Sequence, residues 1–346
     1  MPILKGPSMS KNRTRMADIA SHAGVSIATV SRVFNGVGQV SDDTRYRVLT
    51  AIDELGYERP NMLADDNRLI IGVIVPELTN PIFATFAHTL HTEVDRAGGQ
   101  AFIASQTPGT TSEEEHTQAF LARGVSGLIF VSGRHADLHG DIERYHRLIE
   151  LTIPYVTING TRDGVDAPDF STDDAAGIGA AVKHLADHGH ERIALLTGQS
   201  HIIPAQRKIA AFRTQMKSVL GQTDPRIIET FYTYEAGAAG AKELLAEGVT
   251  GIICASDLQA LGAIRTAHSL GLDVPGDASI IGFDDTMLMA HTDPALTSVR
   301  QPIQAIARAA IQTLETQLKG ASVQPGRFEY TPDLVVRAST GPVKHS

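Results

Sequence analysis

The first apolar pattern lies in residues 15–57, where short apolar stripes alternate with hydroxyl and basic residues. In RMADIASHAG, Met16, Ile19, Ala20 and Ala23 recur at i, i+3, i+4 and i+7, a spacing that predicts one buried helical face. Gly24 stops that helix and permits a tight turn. VSIATVSRVFN restarts it, with Ser26 as N-cap and Val30, Val33 and Phe34 facing inward. Ser41 caps a third helix, DDTRYRVLTAIDELGY, whose Tyr46, Val48, Leu49, Ile52 and Leu55 are expected to complete a three-helix core. Two short helices joined by a glycine turn make a helix-turn-helix pattern, placed here at residues 14–60.

From residue 69 onward the period changes. Apolar runs LIIGVIVP, QAFIAS, GLIFVS and PYVTIN predict strands, separated by amphipathic helices such as 82–98. A second series follows, RIALLTG, RIIETFY, GIICAS and ASIIGF. Alternating strand and helix predict parallel sheets with right-handed crossovers and ligand crevices at the strand C-termini. Two series predict two lobes, dividing near Asn159–Gly160, with LTSVRQP and a helix at 302–319 returning to the first. The expected parcelling is 70–159 with 291–325 in one lobe, and 160–290 with 326–340 in the other, after a short hinge at 61–69.

Charge divides the chain in the same way. The first 50 residues carry seven Lys and Arg against three acids, although the whole chain is −9. A basic tip on an acidic body suggests that the tip faces nucleic acid. On the second helix, Ile27, Ala28 and Arg32 lie outward, where a recognition helix presents side chains to base edges. Ser26, Thr29, Ser31 and Asn35 are short hydrogen-bonding residues suited to phosphate oxygens, and Ser41 and Thr44 complete the DNA-facing set. The absence of acids from this face weighs against an ordinary helical bundle.

The remaining composition narrows the function classes. Hydrophobic content of 42% is ordinary for a globular protein, and no 18-residue apolar run predicts a membrane span. The start, MPILKGPSMSKNRTRM, lacks a secretory core, so a cytoplasmic protein is expected. The single cysteine, Cys254, falls in an apolar run and reads as a buried thiol. HLADHGH brings His184, His188 and His190 close in sequence, but there is no HExxH, and no metal site is expected. SEEEH at 112–116 reads as a helix N-terminus favoured by the dipole rather than as a catalytic carboxylate pair.

Polar residues at the predicted strand ends form the second candidate site. They are Asn80 and Phe83 after the first strand, and Arg207 and Lys208 at a helix start. Further along come Tyr232, Tyr234, Ser256, Asp257, Asp284 and Asp285. Carboxylates that accept from paired hydroxyls, a cationic donor and an aromatic face suit a neutral sugar. A plainer role competes at some positions: Asp257, and Asp173 or Asp174, can each cap a helix.

ADIASHAGVSIATVSRVFNG, VSDDTRYRVLTAIDELGY and IGVIVPELTNPIF resemble the LacI–GalR family of bacterial transcription regulators. The resemblance continues through STDDAAGIGAAVKHLADHGHERIALLTG, GIICASDLQALGAIRTAHSLGLDVPGDASIIGFDD and LTSVRQP, covering Arg15 to about Arg337. It implies a helix-turn-helix headpiece on a periplasmic-binding-protein-like, two-lobed α/β effector domain with a sugar-sized cleft. It also implies effector roles for Asp284, Asp173 and Phe83. Lys208 stands where the family has Arg, with Arg207 just before it, and Ser256 stands where it has Asn. The linker RPNMLADDNRL is shorter than the family pattern and carries Asp65 and Asp66, so a weakened or rearranged hinge helix is expected.

These features predict a homodimeric, sugar-responsive repressor of a pseudopalindromic operator, with no cofactor. Within the family the motifs most resemble actinobacterial regulators of maltose and maltodextrin genes, which implies an α-glucoside inducer. A transport solute-binding protein would share the lobes but would need export and no helix-turn-helix. A nicotinamide enzyme is disfavoured because IGVIVPELTNP has no GxGxxG loop, and GIGA at 177–180 is helical in context.

Overall fold

The computed structural model describes residues 16–35, 40–55, 69–106 and 111–343. The chain divides into two units at the Asn67–Arg68 bond. The expected hinge at 61–69 lies outside the described residues except for Leu69.

The first unit is a three-helix cluster of α1 (Met16–Ala23), α2 (Ile27–Asn35) and α3 (Asp42–Glu54). Ile19, Ala20 and Ala23 of α1 meet Val30 of α2 and Val48 and Ala51 of α3, with Met16, Val25, Val33, Ile52 and Leu55 packed around them. Gly24 turns at φ +64°, a conformation that glycine adopts without steric cost. Two residues expected in this core are outside it: Tyr46 and Leu49 are 72% and 53% exposed. At 100° per residue, positions 48, 51, 52 and 55 share one stripe, which Leu49 flanks and Tyr46 opposes. The side chain of Phe34 lies outside the described residues.

The second unit holds two six-stranded sheets. In the first, β1 (Ile70–Val75), β2 (Gln100–Ser105), β3 (Gly127–Val131), β4 (Tyr155–Ile158), β5 (Pro168–Thr172) and β11 (Gly326–Tyr330) lie in the order β11-β5-β4-β3-β1-β2. In the second, β6 (Ile193–Thr197), β7 (Ile227–Glu229), β8 (Gly251–Cys254), β9 (Ser279–Asp284), β10 (Thr297–Arg300) and β12 (Asp333–Val335) run β12-β10-β9-β8-β6-β7. All pairs are parallel except β10 with β12.

Helices cover both faces of each sheet, as strands apolar on both sides require. In the first lobe, α4 (Pro81–Arg96) and α11 (Ile303–Leu318) seal one face. The other face is covered by α5 (Glu113–Leu121) and α6 (Glu143–Glu150). In the second lobe, α7 (Asp174–Asp187) and α8 (Ile203–Leu220) oppose α9 (Tyr234–Ala246) and α10 (Asp257–Ser269). Helix α5 opens with the expected cap, a reciprocal capping box between Ser112 and Glu115. Cys254 is fully buried in β8, and burial pushes its thiol pKa up.

The lobe boundaries differ from those expected. The chain turns at Asn159–Gly160, where φ is +66° and +133°, but it stays in the first lobe to build β5. Strand β5 was hidden because it is polar. Its buried Asp169 accepts from Thr157 Oγ1 at 3.0 Å, Gly160 N at 3.1 Å and Ser171 Oγ at 2.6 Å. The first crossover therefore falls between Thr172 and Asp174. The stretch containing β10, assigned to the first lobe, pairs with β9 in the second. Strand β11, assigned to the second lobe, pairs with β5 in the first. Three chain crossings thus connect the lobes, with the second near Gln301 and the third between Tyr330 and Asp333.

Candidate nucleic-acid interface and ligand cleft

In the headpiece, Gly24 lets α1 fold back so that α2 starts exposed. Ser26 caps α2, accepting from Thr29 N at 3.1 Å, and its hydroxyl is 2.9 Å from Thr29 Oγ1. Ser41 caps α3 in the same way, accepting from Thr44 N at 3.4 Å, and its hydroxyl donates to Thr44 Oγ1 at 2.9 Å. These two hydroxyl pairs, with Val25, Arg32 and Val40, line one concavity of about 410 Å³. Ile27 is 54% exposed, Ala28 and Arg32 are exposed, and Ser31 is half-buried. The side chain of Asn35 lies outside the described residues. Helix α2 holds no acid, whereas Asp42 and Asp43 open α3, where the helix dipole favours them. The surface is therefore built of hydroxyl donors and an exposed guanidinium, groups that serve phosphates and base edges.

In the body, β1 and β3 diverge in connection, as do β6 and β8, so the crevices at their C-terminal ends face each other across one cleft. The cleft has a volume of about 250 Å³. The first lobe contributes Glu77, Asn80 and Phe83 after β1, Ser132 after β3 and Asn159 after β4. The second contributes Asp174, Ile202, Lys208, Tyr232, Ser256 and Asp284, and Gln301 enters from the second crossing.

Of the eight sequence-predicted effector residues, six line this space: Asn80, Phe83, Lys208, Tyr232, Ser256 and Asp284. Asn80 also caps α4, and Ser256 caps α10. Asp173 does not line the cleft. It is the N-cap of α7, accepting from Ala176 N at 2.9 Å, and the neighbouring Asp174 faces the ligand space instead. Arg207 is likewise turned away and donates to Ser171 Oγ on β5 at 3.3 Å. One helical residue is a rotation of 100°, enough to separate Arg207 from Lys208. Tyr234 begins α9 and does not line the cleft. Asp257 is not the cap expected of it; its carboxylate accepts from Thr286 N at 2.8 Å and Ser298 Oγ at 2.6 Å.

The charges are tightly matched. Lys208 Nζ lies 2.5 Å from Asp174 Oδ1 and 4.1 Å from the centre of the Phe283 ring. Burial alone would depress the ammonium pKa, but Asp174, Tyr232 and Asp284 together hold it above the ordinary lysine value. Asp284 is pushed well up, first by burial and then by the nearby Asp257. Burial raises Asp257 to about 6. The turn after β9 is strained: Asp284 and Asp285 have φ of +119° and +51° without being glycine. Arg300 and Arg337 hold Asp285 at 2.7 and 2.6 Å, and Gln301 donates to Asp284 Oδ1 at 2.7 Å. Gln301 Oε1 in turn accepts from Thr172 Oγ1 at 2.8 Å, which ties the first crossing to the second and to the cleft acid.

Sequence reasoning missed Glu77, Ser132, Asn159, Asp174 and Gln301. A strand-end rule applied to every strand would have found Ser132 and Asn159, which sit at φ +45° and +66° just past β3 and β4. His184, His188 and His190 are engaged structurally, the last with Thr250, Ser279 and the carbonyl of Gly341. Among the described residues, no helix is long and apolar enough to cross a membrane.

A helix-turn-helix unit followed by a two-lobed body around a polar cleft defines a DNA-binding regulator with a small-molecule site. Residues 15–61 match the lacI family of bacterial regulatory proteins, and residues 182–340 match a periplasmic binding protein-like domain. The HTH-type transcriptional regulator MalR of Streptomyces coelicolor is 46% identical over 94% of this chain and 96% of its own length. Two solved structures share the architecture. A transcriptional regulator CelR–cellobiose complex has a TM-score of 0.69 and 28% identity, covering 94% of this chain and 100% of that one. A Lac repressor dimer bound to operator and the anti-inducer ONPF has a TM-score of 0.68 and 26% identity, covering 95% and 100%. The chain belongs to the LacI family and is a DNA-binding transcriptional regulator; its relatives are regulators, not enzymes.

Proposed function

We propose that the protein is a cytoplasmic, homodimeric repressor whose grip on a pseudopalindromic operator is released by maltose or a maltodextrin bound between its lobes. The observation that carries the ligand class is the charge balance of the cleft. Among the described lining residues Lys208 is the one cation, and Asp174 neutralises it at 2.5 Å. What remains for a ligand is amides (Asn80, Asn159, Gln301), hydroxyls (Ser132, Ser256), the carboxyl groups of Glu77 and Asp284, and the rings of Phe83 and Tyr232. That set suits an uncharged polyol with an apolar face and offers little to an anionic metabolite. The relative named MalR supports an α-glucoside, and the operator-bound Lac repressor dimer supports a two-fold DNA complex.

At the DNA end, Ile27, Ala28 and Arg32 read base edges. Ser26, Thr29, Ser31, Asn35, Ser41 and Thr44 position the unit on phosphates. Sugar and operator are linked reciprocally, so each weakens the other by the same factor.

Isothermal titration calorimetry of the full chain with maltose, maltotriose, cellobiose and glucose tests the ligand. Saturable binding of a maltodextrin that Asp284→Ala weakens at least tenfold is expected. Binding of cellobiose alone, or no loss in Asp284→Ala, would refute the α-glucoside assignment.

A further inference from the structure

Beside the cleft, two loops from opposite lobes touch. The segment between β3 and α6 carries Asp137 and His139, and the segment between β6 and α8 carries His201. Their backbones are pinned together: Leu138 N donates to His201 O at 2.9 Å, and Asp137 pairs with Ile202 as an isolated antiparallel bridge. The imidazoles of His139 and His201 stack, with centroids 4.7 Å apart and planes within 8°. One donor atom each from Asp137, His139 and His201 lies within 4.8 Å of the others. Asp137 is already oriented, accepting from Arg134 Nη1 at 2.9 Å through Oδ2 and from His139 N at 2.9 Å through Oδ1.

We propose that Asp137, His139 and His201 form a site for a divalent transition-metal ion of the zinc type, ligated from both lobes. Two imidazoles and one carboxylate form a borderline-soft donor set, which favours Zn²⁺ or Ni²⁺ over Mg²⁺ or Ca²⁺. Bonds of about 2.1 Å to a tetrahedral ion need donors roughly 3.4 Å apart. Tilting the two rings out of their stack brings the nitrogens in by the ångström or so required. The fourth position stays open to water, and Arg134, 53% exposed at its side chain, is free to swing off the carboxylate.

The site exists only while the lobes are together. His201 arrives on one lobe, and its two partners sit on the other. Metal occupancy therefore fastens the lobes in this arrangement beside Ser132 and Ile202, which line the ligand space. By linkage, any cleft ligand that favours this arrangement raises metal affinity, and one that disfavours it lowers it.

The test uses the full chain stripped with a chelator, then titrated calorimetrically with ZnCl₂ and, separately, NiCl₂. Melting curves are recorded with and without metal. One equivalent is expected to bind and to raise the melting temperature. His139→Ala and His201→Ala are each expected to weaken binding at least tenfold and to abolish that rise, while melting like the unsubstituted chain without metal. His188→Ala, in the other histidine cluster, is expected to retain both. No binding by the unsubstituted chain, undiminished binding in either loop variant, or loss in His188→Ala would overturn the proposal.

Discussion

Replacing Lys208 by methionine probes the charge balance on which the ligand assignment rests. Lys208 and Asp174 side chains are each 6% exposed and 2.5 Å apart, so the substitution leaves a carboxylate buried without its counter-ion. Breaking such a pair from one side costs about 3–5 kcal/mol, because the desolvation already incurred is no longer offset. Methionine keeps most of the stem volume against Phe283, so little of the loss is a cavity effect. Asp174→Asn alone is expected to cost a similar amount by stranding the ammonium. The double variant removes both charges and is expected to fall within about 2 kcal/mol of the unsubstituted protein. Equilibrium urea unfolding followed by circular dichroism closes the cycle. Lys208→Met within 1 kcal/mol of the parent, or a double variant equal to the sum of the singles, would show that the pair is not buried and coupled as described.

Gln301→Ala removes the bonds to Asp284 and Thr172 and is expected to cost about 2–4 kcal/mol of stability. Calorimetry should also show at least tenfold weaker sugar binding. A Cβ on Gly198 would overlap the Tyr232 ring, so Gly198→Ala is expected to push that ring into the cleft and weaken sugar binding, with headpiece binding to DNA unchanged. Arg32→Ala is expected to lose about 1–3 kcal/mol of operator affinity in an anisotropy titration. The folded chain holds the Asp257 proton to about pH 6, whereas an unfolded carboxyl releases it near pH 4. The native state is thus favoured at low pH, and that advantage is lost as pH rises above about 4, with the neighbouring Asp284, raised by burial and by Asp257, extending the loss to higher pH. Asp257→Asn is expected to reduce that slope without abolishing it, because burial still raises Asp284.

Apolar periodicity made much of this fold legible. The stripe of α1 and strands β1 to β4 and β6 to β9 declare themselves because burial on a helix face or inside a sheet demands a repeating pattern. Strand β5 did not, since its buried Asp169 is satisfied by hydrogen bonds that only the folded chain brings together. That one polar strand displaced the lobe boundary from Asn159–Gly160. The same limit applied in the cleft. Asp173 and Asp174 are adjacent acids, and which one caps and which one faces the ligand depends on where α7 begins. Arg207 and Lys208 differ only by a rotation about α8. Gln301 and the Asp137–His139–His201 cluster depend on segments far apart in sequence meeting in space, which no local pattern encodes.

Sugar-released operator binding is tested most directly by fluorescence anisotropy with a palindromic DNA from upstream of the protein's own gene, titrated at two salt concentrations and then with maltotriose. Tight binding that weakens steeply with salt and is released by the sugar is expected. Absence of binding at low salt, or a complex that no maltodextrin disturbs, would contradict sugar-released operator binding.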